Sequence, residues 1–145
     1  MEVSFRRDLS NNGMFRLELL IDEVPYYFMI DTGSSTNYLT LEAAQRLGDR
    51  IRLIGSGRTI GYGGRKSKKE YIIELSFSFN GEDYVQAFNV ARANKSFELL
   101  EKDGFHLDGI LGNPFLYVSK ATIDYADLVI RFDKDREQKD LEEID

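Results

Sequence analysis

The chain has no cysteine, no tryptophan, two prolines and one histidine among its 145 residues. Missing thiols exclude disulfides, cysteine nucleophiles and cysteine-ligated metals together. With His106 alone, a histidine-rich metal centre and a Ser-His-Asp hydrolase are both poor fits. No apolar run reaches the ~18 residues that a membrane helix needs. Val24 to Ile30 is among the longest, and it stops at Asp31. The start, Met-Glu-Val-Ser-Phe-Arg-Arg, lacks the apolar segment of a secretory signal. Together with the absent cysteine, this leans slightly towards a cytoplasmic location and leaves the compartment open.

What is present argues for one folded domain. The chain is 42% hydrophobic and 12% aromatic, too apolar to stay disordered. A net charge of −6 conceals strong segregation. Residues 46–69 hold eight bases against Asp49 alone, whereas residues 133–145 hold seven acids and three bases. We read the basic stretch as a solvated loop, with a nucleic-acid surface as the weaker alternative. The chain is divided at residue 132, with 1–132 as the domain and 133–145 as an acidic tail whose Leu141 and Ile144 give a weak helical pattern.

Most of the sequence reads as short strands. Phe15 to Ile21 and Val24 to Ile30 flank Asp22-Glu23, as in a hairpin. Between Tyr71 and Phe79, Ile73, Leu75, Phe77 and Phe79 alternate with polar residues, the period of a half-buried strand. Asn80-Gly81 favours a tight turn, after which Tyr84 to Val90 returns antiparallel. Ala121 to Asp124 and Leu128 to Phe132 form another pair, with Asp124 and Asp127 as turn formers. Helices are few. Thr40 caps Leu41 to Leu47 with Gly48 as its stop, and Asn113 caps a short helix with Pro114 at its first position. Glycines at 55, 57, 61, 63 and 64 predict a flexible loop or hairpin, and His106 reads as a loop residue. Asn94-Lys95-Ser96 matches a glycosylation acceptor that carries no meaning without secretion.

The sharpest feature is an apolar strand that ends directly in Asp31-Thr32-Gly33-Ser34-Ser35. A carboxylate at the end of a buried strand costs free energy unless it is paired or hydrogen-bonded. Alone, Asp-Thr-Gly is also good turn chemistry. Two further elements follow in order, Gly61-Tyr62-Gly63-Gly64 and Ile110-Leu111-Gly112 before a short helix. In these three elements the chain resembles the retropepsin-like aspartic proteases, over about Phe15 to Phe132.

That resemblance implies a mostly β, closed-barrel protomer with one or two short helices, acting as a homodimer. It implies an aspartic endopeptidase that needs no metal or cofactor and takes extended peptide or protein substrates, with no nucleic-acid or membrane partner. Asp31 would be the catalytic carboxylate, paired with Asp31 of a symmetry-related copy. Thr32 resembles the residue whose hydroxyl braces the partner's loop, and Gly33 admits close backbone approach. Ser34 would donate to ionised Asp31 and favour an acidic optimum. Ile110, Leu111 and Gly112 would support the catalytic loop. Ile60, Gly61, Tyr62, Gly63 and Gly64 would form a flap, with Tyr62 covering substrate or merely packing at the surface. The basic stretch around that flap predicts a preference for acidic substrate residues. Viral relatives interleave both termini in a sheet between protomers; here the acidic tail offers a helix or tether instead. The alternative is a catalytically silent dimerisation or peptide-binding module; a loop around Ala91 to Leu107 would either obstruct the cleft or create specificity.

Overall fold

The computed structural model describes residues 1–60 and 67–142, with backbone only at 58–60 and 67–69. Its strands are β1 (Glu2–Ser4), β2 (Arg16–Ile21), β3 (Val24–Ile30), β4 (Asn37–Thr40), β5 (Ile51–Ile60), β6 (Ser67–Phe79), β7 (Glu82–Ala91), β8 (Gly109–Leu111), β9 (Ala121–Asp124) and β10 (Val129–Phe132). Between them lie α1 (Arg6–Asn12), α2 (Leu41–Leu47), α3 (Lys95–Lys102) and α4 (Asn113–Val118), with a 3₁₀ turn at Gly48–Arg50. Seven strands form one sheet in the order β2-β3-β8-β4-β7-β6-β5, and β1-β10-β9 form a second. The larger sheet curls so that β2 lies against β6, and the expected barrel takes the form of this curl.

Turn chemistry explains both predicted hairpins. Asp22 and Glu23 adopt φ of 53° and 66°, and Asn80 and Gly81 adopt 54° and 75°. Left-handed values at both central residues give a turn whose twist matches the flanking strands. The alternation in β6 is borne out, since Ile73, Leu75, Phe77 and Phe79 are all buried. Leu17, Leu19 and Ile21 of β2 and Phe28 and Ile30 of β3 join them in one core. Phe79 meets Phe132 edge-on at 4.7 Å, and Phe115 of α4 packs among Phe77, Phe79 and Tyr84. These contacts fix α4 against the sheet and so fix the position of β8 just before it.

Several local expectations need correction. Four helices are described where one or two were expected. Helix α1 has no buried residue and no apolar period to reveal it. Helix α3 is capped by Asn94, whose Oδ1 accepts from Phe97 N at 2.8 Å; the glycosylation-like triplet is a cap. Helix α4 is capped by Gly112 rather than Asn113, and Pro114 stands one position further in. Gly55 and Gly57 lie within β5, whose antiparallel pairing with β6 bears out the hairpin and not the loop alternative, with a register shift between Leu53 and Gly55. The tail forms no helix over 133–142. It lies on α4 instead, with Tyr117 Oη donating to Lys139 O at 2.9 Å.

Candidate active site

Asp31 emerges where β3 leaves the core. Ile30 is buried, while Asp31 is half-buried and Thr32 and Gly33 are exposed. The Asp31 amide donates to Leu111 O at 3.1 Å, which ties the strand exit to β8. Within the loop, Gly33 N donates to Asp31 Oδ1 at 2.9 Å and Ser34 N to Asp31 O at 3.2 Å. The carboxylate therefore keeps a fixed direction while one side of its loop faces solvent. The Ser34 hydroxyl does not turn to Asp31. It donates to Thr36 O at 2.6 Å, closing the loop on itself.

Ile110, Leu111 and Gly112 lie beside this loop. Strand β8 runs parallel to β3, pairing Met29 with Ile110 and Ile30 with Leu111. A Cβ on Gly112 would lie 2.4 Å from Thr36 O and 2.7 Å from Ser34 O, so only glycine lets the two backbones approach this closely. Asn113 N donates to Ser34 O at 2.9 Å, joining the start of α4 to the same loop.

Asn37 is a residue that sequence reasoning missed. It is 1% exposed, accepts from Gly112 N at 3.0 Å, and donates to Gln86 Oε1 at 3.0 Å and Ala87 O at 3.2 Å. One amide thus ties β4, β7 and the glycine of β8's exit. The signal was a polar residue preceding the apolar Tyr38-Leu39, which must be satisfied if buried.

Asp108 and His106 were also underestimated. The Asp108 carboxylate is 1% exposed. It accepts from Tyr27 N at 2.9 Å, from an Arg46 guanidinium and from His106 Nε2 at 2.7 Å. His106 Nδ1 bonds Glu101 Oε2 at 2.6 Å, so the imidazole bridges α3 to the strand β8. Burial opposes its protonation, but hydrogen bonds to Glu101 and Asp108 and their charges outweigh this and hold its pKa above the ordinary value. It is a loop residue, as expected, lying between α3 and β8, and from there it latches the 92–108 segment. That segment packs Phe97, Phe105 and Leu107 over Met29 and Ile110.

The remaining expectations divide. Gly61, Tyr62, Gly63 and Gly64 lie outside the described residues, and Ile60 ends β5 paired in register with Ser67. Of the eight clustered bases, Arg46 pairs with Asp108, Arg50 with Asp22 and Arg52 with Glu74. Part of the basic stretch is therefore neutralised within the chain. Asp124 does form its turn, accepting from Ala126 N and Asp127 N at 2.8 and 2.9 Å, and it also pairs with Arg131. Among the described residues no cluster of His, Cys, Asp and Glu could hold a metal ion, and no helix is long and apolar enough to cross a membrane.

Comparison with known proteins bears on the family and the fold. The sequence profile of a family described as aspartyl protease matches residues 17–115. The fold is similar to the EIAV protease in complex with the inhibitor HBY-793, at 22% identity and a TM-score of 0.55, covering 73% of this chain and 88% of that one. It is similar to a retropepsin-like aspartic protease from Rickettsia conorii, at 22% identity and a TM-score of 0.57, covering 91% of this chain and 89% of that one. It is also similar to the retroviral protease-like domain of Ddi1 from Leishmania major, at 17% identity and a TM-score of 0.55, covering 83% and 88%. No curated protein sequence matches the chain.

Proposed function

The chain belongs to the aspartyl protease family, and on that premise we propose that it is an endopeptidase whose catalytic carboxylate is Asp31, completed by Asp31 of a second copy. The observation that carries this reading is the half-buried Asp31, oriented by Gly33 N at the exit of a core strand, with its loop exposed on one side. Two carboxylates are needed for the chemistry, and neither of the two buried among the described residues is hydrogen-bonded to Asp31. Asp108 is held by Arg46 and His106, and Glu70 sits on β6 against Asn89.

Two facing Asp31 carboxylates cannot both ionise at short range, so they share one proton. The ionised member takes a proton from a water held between them as that water attacks the scissile carbonyl carbon. The protonated member donates to the carbonyl oxygen, and collapse of the tetrahedral intermediate returns a proton to the leaving amine. Thr32 and Gly33, exposed beside Asp31, are the residues available to a partner loop. Ile110, Leu111 and Gly112 support the loop from below, and Ser34 stiffens it through Thr36 O. Ile60 to Gly64 serve as the substrate flap. Residues 1–132 form the protease domain and 133–145 its tail.

Incubating wild type and Asp31→Asn with an unbiased peptide library across pH, while recording mass in solution, tests this. Cleavage by a wild-type dimer that disappears in a dimeric Asp31→Asn is the expected result. A well-formed wild-type dimer that cleaves nothing at any pH favours the silent peptide-binding module.

A further inference from the structure

On the sheet face turned away from the main core, Met29, Ile110 and Tyr38 stand side by side across β3, β8 and β4. Asp31 follows Met29 by two positions and so belongs to the same face by alternation. Beyond Tyr38 this face opens into a cavity of 230 Å³ between the ends of β4 and β7 and helix α3. Its volume falls below the roughly 300–1,000 Å³ of whole-ligand sites and suits one side chain. Tyr38, Ile110, Ala91 and Phe97 give it largely apolar walls.

One carboxylate is set into those walls. Glu70 of β6 lines the cavity and is only 6% exposed. Asn89 Nδ2 donates to its Oε2 at 2.8 Å, and among the described residues no cation lies within ion-pair distance of it. Arg92 also lines the cavity but is solvent-exposed and makes no ion pair with Glu70. An ionised carboxylate can accept about four hydrogen bonds, and a single amide leaves most of that capacity unused. Withdrawn from water, it is stabilised chiefly by a cation. An apolar sleeve ending in a carboxylate matches a side chain with an alkyl stem and a charged donor head.

We propose that this cavity is a specificity subsite in which Glu70 receives the guanidinium or ammonium group of an Arg or Lys side chain of an extended peptide. The subsite rests on the peptidase reading given above. Its sign opposes the acidic preference expected from the basic stretch. A neutral side chain of similar length fills the sleeve but leaves Glu70 uncompensated, and an acidic one is repelled.

Peptides that differ only in carrying arginine, citrulline or norleucine, walked through each position, provide the test. Wild type cleaves the arginine peptide better than the citrulline peptide at one position, by about tenfold or more in kcat/KM, because citrulline keeps the shape and loses the charge. In Glu70→Gln, which retains an oxygen for Asn89 Nδ2, that ratio collapses towards one. A wild-type enzyme that cleaves all three alike, or a ratio unchanged in Glu70→Gln, overturns the subsite. If Glu70→Gln does not fold, the wild-type comparison decides alone. Equilibrium binding of the same peptides to Asp31→Asn separates the two readings. An arginine preference in binding upholds the subsite even if wild type cleaves nothing, an outcome that sinks only the peptidase reading. No arginine preference in either binding or cleavage overturns the subsite.

Discussion

Asp31 and Asp108 are both carboxylates at the margins of core strands, and their surroundings give them opposite roles. Asp108 is sealed and saturated by a backbone amide, an arginine and an imidazole. Asp31 keeps one hydrogen bond from Gly33 N and an exposed neighbouring loop, and so remains able to engage a water and a partner. Asp31→Asn should therefore lower kcat/KM by more than about a thousandfold with the thermal midpoint little changed. Ser34 leads to a revised expectation. Its hydroxyl is spent on Thr36 O, so Ser34→Ala should leave the pH–rate profile in place; an alkaline move of that profile would show that the hydroxyl turns to Asp31 instead. Asn37→Ala should cost about 1–3 kcal/mol in urea unfolding, because it strands the Gly112 amide in a buried site. Asp31 was legible because Asp-Thr-Gly follows an apolar run. Asn37 and Glu70 were not, because their roles depend on neighbours that are distant in sequence.

At the scale of elements, the hairpins were readable because Asp22-Glu23 and Asn80-Gly81 impose a turn by local backbone preference. The 92–108 segment was not readable. Helix α3 is short, and it is held by long-range contacts of Phe97, Phe105 and Leu107 with Met29 and Ile110. The His106 latch gives this segment a pH dependence. Its imidazole faces Glu101 on α3 and Asp108 before β8; Arg46 of α2 shares Asp108, and Arg16 of β2 donates to the His106 carbonyl. A folded-state pKa raised above the unfolded value makes the latch fully stabilising below about pH 6.5, and that contribution is lost as pH rises through the folded pKa. Protection factors of α3 amides should fall as pH rises above about 6.5 in wild type and show no such fall in His106→Gln. Equal pH dependence in both proteins would remove the latch.

At the scale of the whole molecule, the first strand and the last described strand pair with each other. Strand β1 pairs with β10 in register, and Phe132 N donates to Met1 O at 2.9 Å. Pairing of β1 with β10 therefore needs no strand from a second copy. If the active site is shared, specific activity should fall on dilution in step with the loss of dimer mass. Constant specific activity down to monomer mass would rule out the shared pair of Asp31 residues. The sequence by itself determined the mostly β class, the tight hairpins, the capped α2 and the Asp31-Thr32-Gly33 loop, because each depends on backbone preferences and periodicities spanning a few residues. Only the tertiary structure decided that Asp108 is ion-paired while Glu70 meets no cation among the described residues, that one amide ties β4, β7 and Gly112, and that Glu70 faces the same cavity as α3. Those outcomes depend on pairings such as β3 with β8 and β4 with β7, which join residues some fifty to eighty positions apart and leave no local signature.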